Sequence, residues 1–199
     1  MKKIIIALAA VLVAFSASAQ VGIVGGITSG SAKLKDVDVK NATQYHIGVA
    51  YKLPLVMGFA IQPELLYDVK GSNFDVSSMD YKNGYLELGA QVQWGLDLSV
   101  ARPYVFAEPF LGYAITGSIG DTKLSGDDWK GINRLEYGVG LGFGVELIKH
   151  VQVSAKYFWN MGNLYNEDGS IQSSIIKTVT STVKDGNVSG IAISAALLF

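Results

Sequence analysis

Residues 134–147, RLEYGVGLGFGVEL, constrain the fold more than any other stretch of this chain. Leu135, Tyr137, Val139, Leu141, Phe143, Val145 and Leu147 alternate with Arg134, Glu136, Gly138, Gly140, Gly142, Gly144 and Glu146. Period-two alternation puts side chains on opposite faces of a β-strand. One face is then wholly apolar and the other is charged or bare. A globular strand usually runs about five or six residues, whereas one that crosses a bilayer needs roughly nine to eleven. Length and one-sidedness together point to a strand that faces lipid.

The same alternation recurs along the chain. Residues 21–28 carry Val21, Ile23, Gly25 and Ile27 on one face. Residues 44–53 set Tyr45, Ile47, Val49, Tyr51 and Leu53 against Gln44, His46, Gly48, Ala50 and Lys52. Residues 58–70 set Phe59, Ile61, Pro63, Leu65, Tyr67 and Val69 against Gln62, Glu64, Asp68 and Lys70. Residues 85–96 set Leu86, Leu88, Ala90, Val92, Trp94 and Leu96 against Glu87, Gln91 and Gln93, and the odd-numbered face of the chain as a whole is expected to be the lipid-facing one. Residues 102–116, 151–161 and 190–199 return to odd apolar positions, ending on Ile193, Ala195, Leu197 and Phe199. No position assigned to the apolar face carries a charge. A soluble sandwich needs an apolar face only where its sheets meet; here that face continues over eight strands. Lipid cannot pair backbone groups, so the sheet must close and abolish its edges. The fold expected is all-β: an eight-stranded antiparallel up-and-down transmembrane β-barrel with the apolar face outside.

Composition agrees. No apolar run after residue 20 reaches the length of a spanning helix, yet the mean hydropathy is +0.30. Cysteine is absent, which excludes disulfides and Cys-ligated zinc. A net charge of -1 leaves no basic footprint for nucleic acid. At the N-terminus, Lys2 and Lys3 precede an apolar run over 4–15 and the small residues Ala17, Ser18 and Ala19. This is the pattern of a secretory signal peptide. Residues 1–19 are expected to be removed after Ala19, leaving one barrel domain over 20–199.

The links alternate in length. Those at 54–57, 98–101 and 148–150 are short, and those at 29–43, 71–83, 117–132 and 162–189 are long and polar. Barrels of the outer-membrane type have short periplasmic turns and longer extracellular loops. On that meander Tyr45, Tyr67, Tyr113, Tyr137 and Trp159 fall toward the extracellular rim, and Tyr51, Phe59, Trp94 and Phe199 toward the periplasmic rim. Tyr and Trp favour the headgroup level, where an apolar ring can carry a polar tip.

The chain resembles the small eight-stranded outer-membrane β-barrel proteins, OmpX-like in size and PorT-like in its glycine-rich strands. The resemblance rests on the export segment, the alternating strands, the stretch PYVFAEPFLGYAITG at 103–117 and the terminal aromatic Phe199. It implies outer-membrane lipids as surroundings. It also implies that Ile193, Ala195, Leu197 and Phe199 are the signal read by the barrel-assembly machinery. The location implied is the outer membrane of a Gram-negative bacterium. A fold of this kind carries varied functions and supplies no reaction.

Candidate chemistry is sparse. The run Gly138, Gly140, Gly142, Gly144 lacks the spacing of a dinucleotide loop, and no helix follows it. It reads instead as a thin inner wall covered by inward Phe106, Phe110 and Phe158, as aromatics cover glycine in sheets. His46, Glu64, Glu87, Glu108, Arg134, Glu136, Glu146 and Lys156 read as a structural lumen network, because buried charges must be paired. Glu64 is the partner expected for His46. Asp121, Asp127 and Asp128 lack calcium-loop spacing, and two histidines without cysteine make no transition-metal site. Catalytic, cofactor-binding and metal residues are therefore expected to be none.

The function expected is a closed barrel with a structural or adhesive role, or an accessory role in surface transport. An extracellular ligand or protein would be met at loops 29–43, 71–83, 117–132 and 162–189. The alternatives are a lipid- or lipopolysaccharide-modifying enzyme, marked by a Ser/His/acid group, and a narrow pore, marked by an open lumen.

Overall fold

A computed structural model describes residues 19–32, 39–74, 79–119, 122–123, 134–161 and 188–199. Residues 1–18 of the expected export segment over 1–19, the acidic residues 121, 127 and 128, and most of the fourth long link lie outside the described residues.

Eight long strands build the molecule: β1 (Gln20–Ala32), β2 (Val39–Pro54), β3 (Phe59–Phe74), β4 (Met79–Gly95), β5 (Ala101–Ile119), β7 (Leu135–Leu147), β8 (Val151–Asn160) and β9 (Val188–Leu198). A two-residue strand, β6 (Thr122–Lys123), pairs with the far end of β5. Each long strand pairs antiparallel with its sequence neighbours, β5 with β7, and β1 with β9. The eight therefore form a closed meander.

Alternation decides the facing. Leu141, Phe143, Val105, Leu111, Ile47, Ile193 and Leu88 are all exposed on the outside, while Glu108, Gln93, Glu87 and Gln62 are buried inside. On β4 the expected odd-numbered outer face is corrected: Leu65 pairs with Leu88 and Leu66 with Glu87, so the even residues of β4 share the outer face with the odd residues of β3. Parity is restored along β5, where Leu88 meets Leu111. One register shift lies farther up: Tyr85 pairs with Ala114 and Gly84 with Thr116, leaving Ile115 as the extra residue of a bulge. Such a residue bends its strand and re-aims its neighbours. Beyond it Thr116 is exposed beside Ile115, and its hydroxyl lies 2.9 Å from the Tyr67 phenol.

Two apolar residues depart from the parity rule. Val69 is buried, opposite Gly84, where the Tyr67 hydroxyl and Thr116 crowd in. Leu53 is buried just before its turn.

The links differ in kind. The three short ones are tight turns. In the first, a 3-10 turn over Val56–Gly58 puts Met57 (φ 60°) and Gly58 (φ 79°) in left-handed conformations. Glycine is required at 58, where a Cβ would stand 2.2 Å from the Gly95 carbonyl oxygen. The third places Ile148 (φ 46°) and Lys149 (φ 62°) at the centre of a two-residue turn closed by His150 N–H donating to the Leu147 carbonyl. Of the long links, the first two are mostly ladder rather than loop. The β3–β4 ladder continues through Phe74↔Met79, seven pairs beyond Tyr67↔Leu86.

Candidate functional site

The barrel interior is the one place where the described residues gather chemistry. Inward positions of β2, β3, β4, β5, β7 and β8 bring six buried carboxylates, Glu64, Asp68, Glu87, Glu108, Glu136 and Glu146, into one lumen with Lys52, Lys70, Arg102 and Lys156.

Lys70 is the hub near the loop end. Its Nζ donates to Glu87 Oε2 at 2.5 Å and Glu136 Oε1 at 2.7 Å, and stands 3.4 Å from Asp68 Oδ2. The same ammonium lies over the rings of Phe110 (4.9 Å), Phe158 (5.3 Å) and Tyr85 (5.5 Å). Asn160 Nδ2 donates to the other Glu136 oxygen at 2.9 Å. At mid-barrel, Lys156 donates to Glu108 Oε1 at 2.5 Å and stands 3.9 Å from Glu87. Nearer the turns a chain of amides follows. Gln62 and Gln91 each donate to Glu64, and Gln93 donates to both Gln62 and Gln91. At the turn end Lys52 donates to Glu146, which also accepts from Gln152 at 2.8 Å. Arg102 donates to Gln93 and to the Gly58 carbonyl, with Asp97 at 3.5 Å. A mouth of about 800 Å³ opens there, with Lys52, Arg102 and Glu146 among its lining.

Glycine makes room for this filling. On the β5–β7 ladder Tyr104 faces Gly144, Phe106 faces Gly142 and Phe110 faces Gly138. A Cβ at Gly142 would stand 2.5 Å from Phe106 Cζ, and one at Gly138 would stand 2.6 Å from Phe110 Cζ. The rings thus lie flat across the strand opposite, which covers bare backbone. Phe158 does the same over Gly190 of β9 rather than over β7, and Tyr104 is a fourth such ring.

Two of the lumen expectations need correction. Arg134 stands just before β7, half-buried, at the loop-end edge. Its Nε donates to the Ala114 carbonyl at 2.9 Å and its guanidinium lies 4.6 Å over outward Tyr113. The backbone here is still in register, with Ala114 N–H donating to the Arg134 carbonyl at 2.7 Å, but the Ile115 bulge lies beside this pair, and a bulge re-aims the side chains near it. The central cation is instead Lys70, an even residue of β3 that parity places inside. Second, the partners of His46 are hydroxyls rather than Glu64. Nδ1 lies 2.9 Å from Thr28 Oγ1 and Nε2 lies 2.9 Å from Ser194 Oγ, and Thr28 in turn donates to Asp68 Oδ1 at 3.0 Å. His46 pairs with Asp68 across β2–β3 and with Gly26 across β1–β2, and the missing Cβ of Gly26 leaves space for the ring.

That chain, Ser194–His46–Thr28–Asp68, is a Ser/His/acid series with a threonine interposed. It can polarise the Ser194 hydroxyl. Yet the backbone around Ser194 is engaged in ladders with β1 and β8, so it offers no paired N–H groups aimed at an oxyanion, the feature that acyl transfer needs. Among the described residues no group of three or more His, Asp or Glu is placed to hold a metal ion.

On the outer wall Tyr45, Tyr113, Tyr137 and Trp159 are exposed toward the loop end, with half-buried Tyr67 beside Tyr45. Tyr51, Phe59, Trp94 and Phe199 are exposed toward the turns. These are two girdles with an apolar band between them. Ile193, Ala195, Leu197 and Phe199 all face outward on the closing strand or just past it.

Comparison with known proteins agrees with this architecture. Neisserial surface protein A superposes with a TM-score of 0.54 at 17% identity, covering 91% of this chain and 97% of that one. The attachment invasion locus protein Ail of Yersinia pestis gives 0.47 at 13% identity, over 90% and 98%. OprG of Pseudomonas aeruginosa gives 0.46 at 13% identity, over 90% and 95%. No curated protein gives a significant match. The model of the outer membrane protein beta-barrel domain matches residues 14–166. That match spans most of the chain, and with the closed barrel and lipid-facing wall described above it shows that the chain belongs to the outer-membrane protein β-barrel family.

Proposed function

We propose that this protein is a closed, non-conducting, non-enzymatic barrel that holds a rigid surface on the cell exterior, in a structural or adhesive role or as an accessory to surface transport. The observation that carries this is the filled lumen. Lys70 ties β3, β4 and β7 together, Phe110 and Phe158 pack against it, and Lys156 with Glu108 spans the middle. Eight strands leave an interior about wide enough for side chains, whereas aqueous channels need about sixteen. The ladder that extends seven pairs past Tyr67 supplies a stiff platform for the four loops, where a ligand or protein partner would be met. Purified protein in a planar bilayer tests the reading. No steady conductance is expected; stable single-channel steps whose ion selectivity shifts on Glu108→Gln would overturn it.

A second reading rests on the Ser194–His46–Thr28–Asp68 chain: an esterase acting on an acyl lipid that enters the lumen. A fluorophosphonate probe discriminates the two. Labelling of the folded barrel that is lost in Ser194→Ala and in His46→Gln would favour the esterase, and absence of labelling favours the closed scaffold.

A further inference from the structure

The turns carry the wrong residues for a water-facing end. Val56 is 72% exposed, Met57 86%, Leu98 60%, Val100 66% and Ile148 66%. Each of the three turns thus exposes apolar side chains, beside exposed Asp97 and Ser99 in the second and Lys149 and His150 in the third, and exposed apolar surface on a protein marks something it meets. The backbone makes the choice odder still. Met57 and Ile148 occupy left-handed positions, and a β-branched residue there is an outlier. A two-residue turn of this kind prefers Asn-Gly, which would also suit water. Neither solvent nor turn geometry selects Ile148.

Depth along the barrel supplies the reason. Tyr137 sits in the loop-end girdle, and Leu147 is ten steps down β7. At a rise of roughly 3.3 Å per residue and a tilt of about 40°, ten steps cover roughly 25 Å of bilayer normal. That is about the height of the apolar band of such barrels. The count from Tyr45 on β2 reaches Leu55, and the count from Leu86, which pairs with Tyr67 and Tyr113, reaches Leu96. Each turn therefore begins where the apolar band ends. The tips stand at the end of that band, Val56, Met57 and Ile148 outside the mouth and Leu98 and Val100 on its rim.

We infer that the turns are seated in the headgroup layer of the inner leaflet, with Met57, Leu98 and Ile148 as interfacial anchors held by phospholipid. The inference rests on the outer-membrane placement of the barrel and not on whether the lumen conducts. Apolar tips gain in that layer what they would lose in water. It follows that the charged mouth around Lys52, Arg102 and Glu146 opens at headgroup level rather than standing clear in the periplasm.

The chain has no cysteine, so single-cysteine probes are unambiguous. Met57→Cys, Leu98→Cys and Ile148→Cys are labelled with an environment-sensitive nitrobenzoxadiazole dye. Each is placed in nanodiscs of phosphatidylethanolamine and phosphatidylglycerol, which leave both membrane faces open to quencher. Leu141→Cys marks the bilayer interior, and each labelled chain unfolded in urea marks full exposure. Heat-modifiable migration confirms folding, and three sites keep the test intact if one variant fails to fold. The expected result is iodide quenching severalfold below the unfolded value, with nitroxide on the headgroup quenching more than nitroxide at the chain end. Leu141→Cys should show the opposite nitroxide order. Iodide quenching at the folded tips equal to that of the unfolded chain would overturn the inference. So would shielding that arises only when periplasmic extract is added, since that would assign the tips to a protein partner.

Discussion

The two ends of the lumen use the same chemistry in different surroundings. Lys70 near the loop end has three carboxylates and three aromatic rings around it. Lys52 near the turn end has Glu146, which also accepts from Gln152 and lies 4.0 Å from Arg102. By exposed area the two lysines look alike, at 7% and 4% of the side chain. What differs is the neighbourhood. Lys52 and Glu146 line a mouth of about 800 Å³, so a small shift admits water, whereas Lys70 is backed by rings. Burial alone therefore does not say what a charge is worth. What matters is whether water or a spare partner can replace a missing one.

Deleting the hub tests this most severely. Lys70→Met leaves Glu87 and Glu136 buried without their main cation, and breaking a buried pair costs about 3–5 kcal/mol. Urea unfolding in lipid vesicles should show that loss. Adding Glu87→Gln and Glu136→Gln to the same variant should recover much of it, because no uncompensated charge then remains. A triple variant as unstable as Lys70→Met would mean that shape, not charge, is what Lys70 supplies.

The dry-against-wet contrast extends to the outer wall. Leu141 lies between the girdles, and Leu141→Arg should cost roughly 2–4 kcal/mol, as a cation at the midplane does. Lys52→Met comes next, at about 1–3 kcal/mol, the usual cost of an unsatisfied buried partner, softened by Gln152 and Arg102. Equal losses for Lys52→Met and Lys70→Met would erase the distinction between the two ends. The smallest effect belongs to Leu135→Arg, above Tyr137 at the loop-end edge, where a cation costs about 0–1 kcal/mol. A loss there matching that of Leu141→Arg would place the membrane band higher than the girdles do.

Much of the lumen was legible from parity. Glu108, Gln93 and Phe106 fall inward because each alternates with a lipid-facing neighbour. Even Lys70 and Thr28, which were not singled out, sit on the inward parity of their strands. Pairing was not legible. Whether His46 meets Glu64 or Ser194 depends on register over strands separated by long links, and on the space left by Gly26. Arg134 escaped the parity rule where its backbone partner Ala114 adjoins the Ile115 bulge, which parity does not show.

The sequence by itself determined the closed wall: eight alternating strands, an apolar face without charge, and short links alternating with long ones. These are local properties, since a strand's two faces follow from its own pleat and lipid enforces the outer one everywhere alike. Tertiary structure decided which inward groups touch. That outcome depends on how eight ladders are offset, on a bulge at Ile115, and on the left-handed residues of the first and third short turns. A shift of two residues preserves every facing and changes every partner. The sequence pattern therefore specifies a polar lumen, and only the closed barrel makes Lys70 its centre.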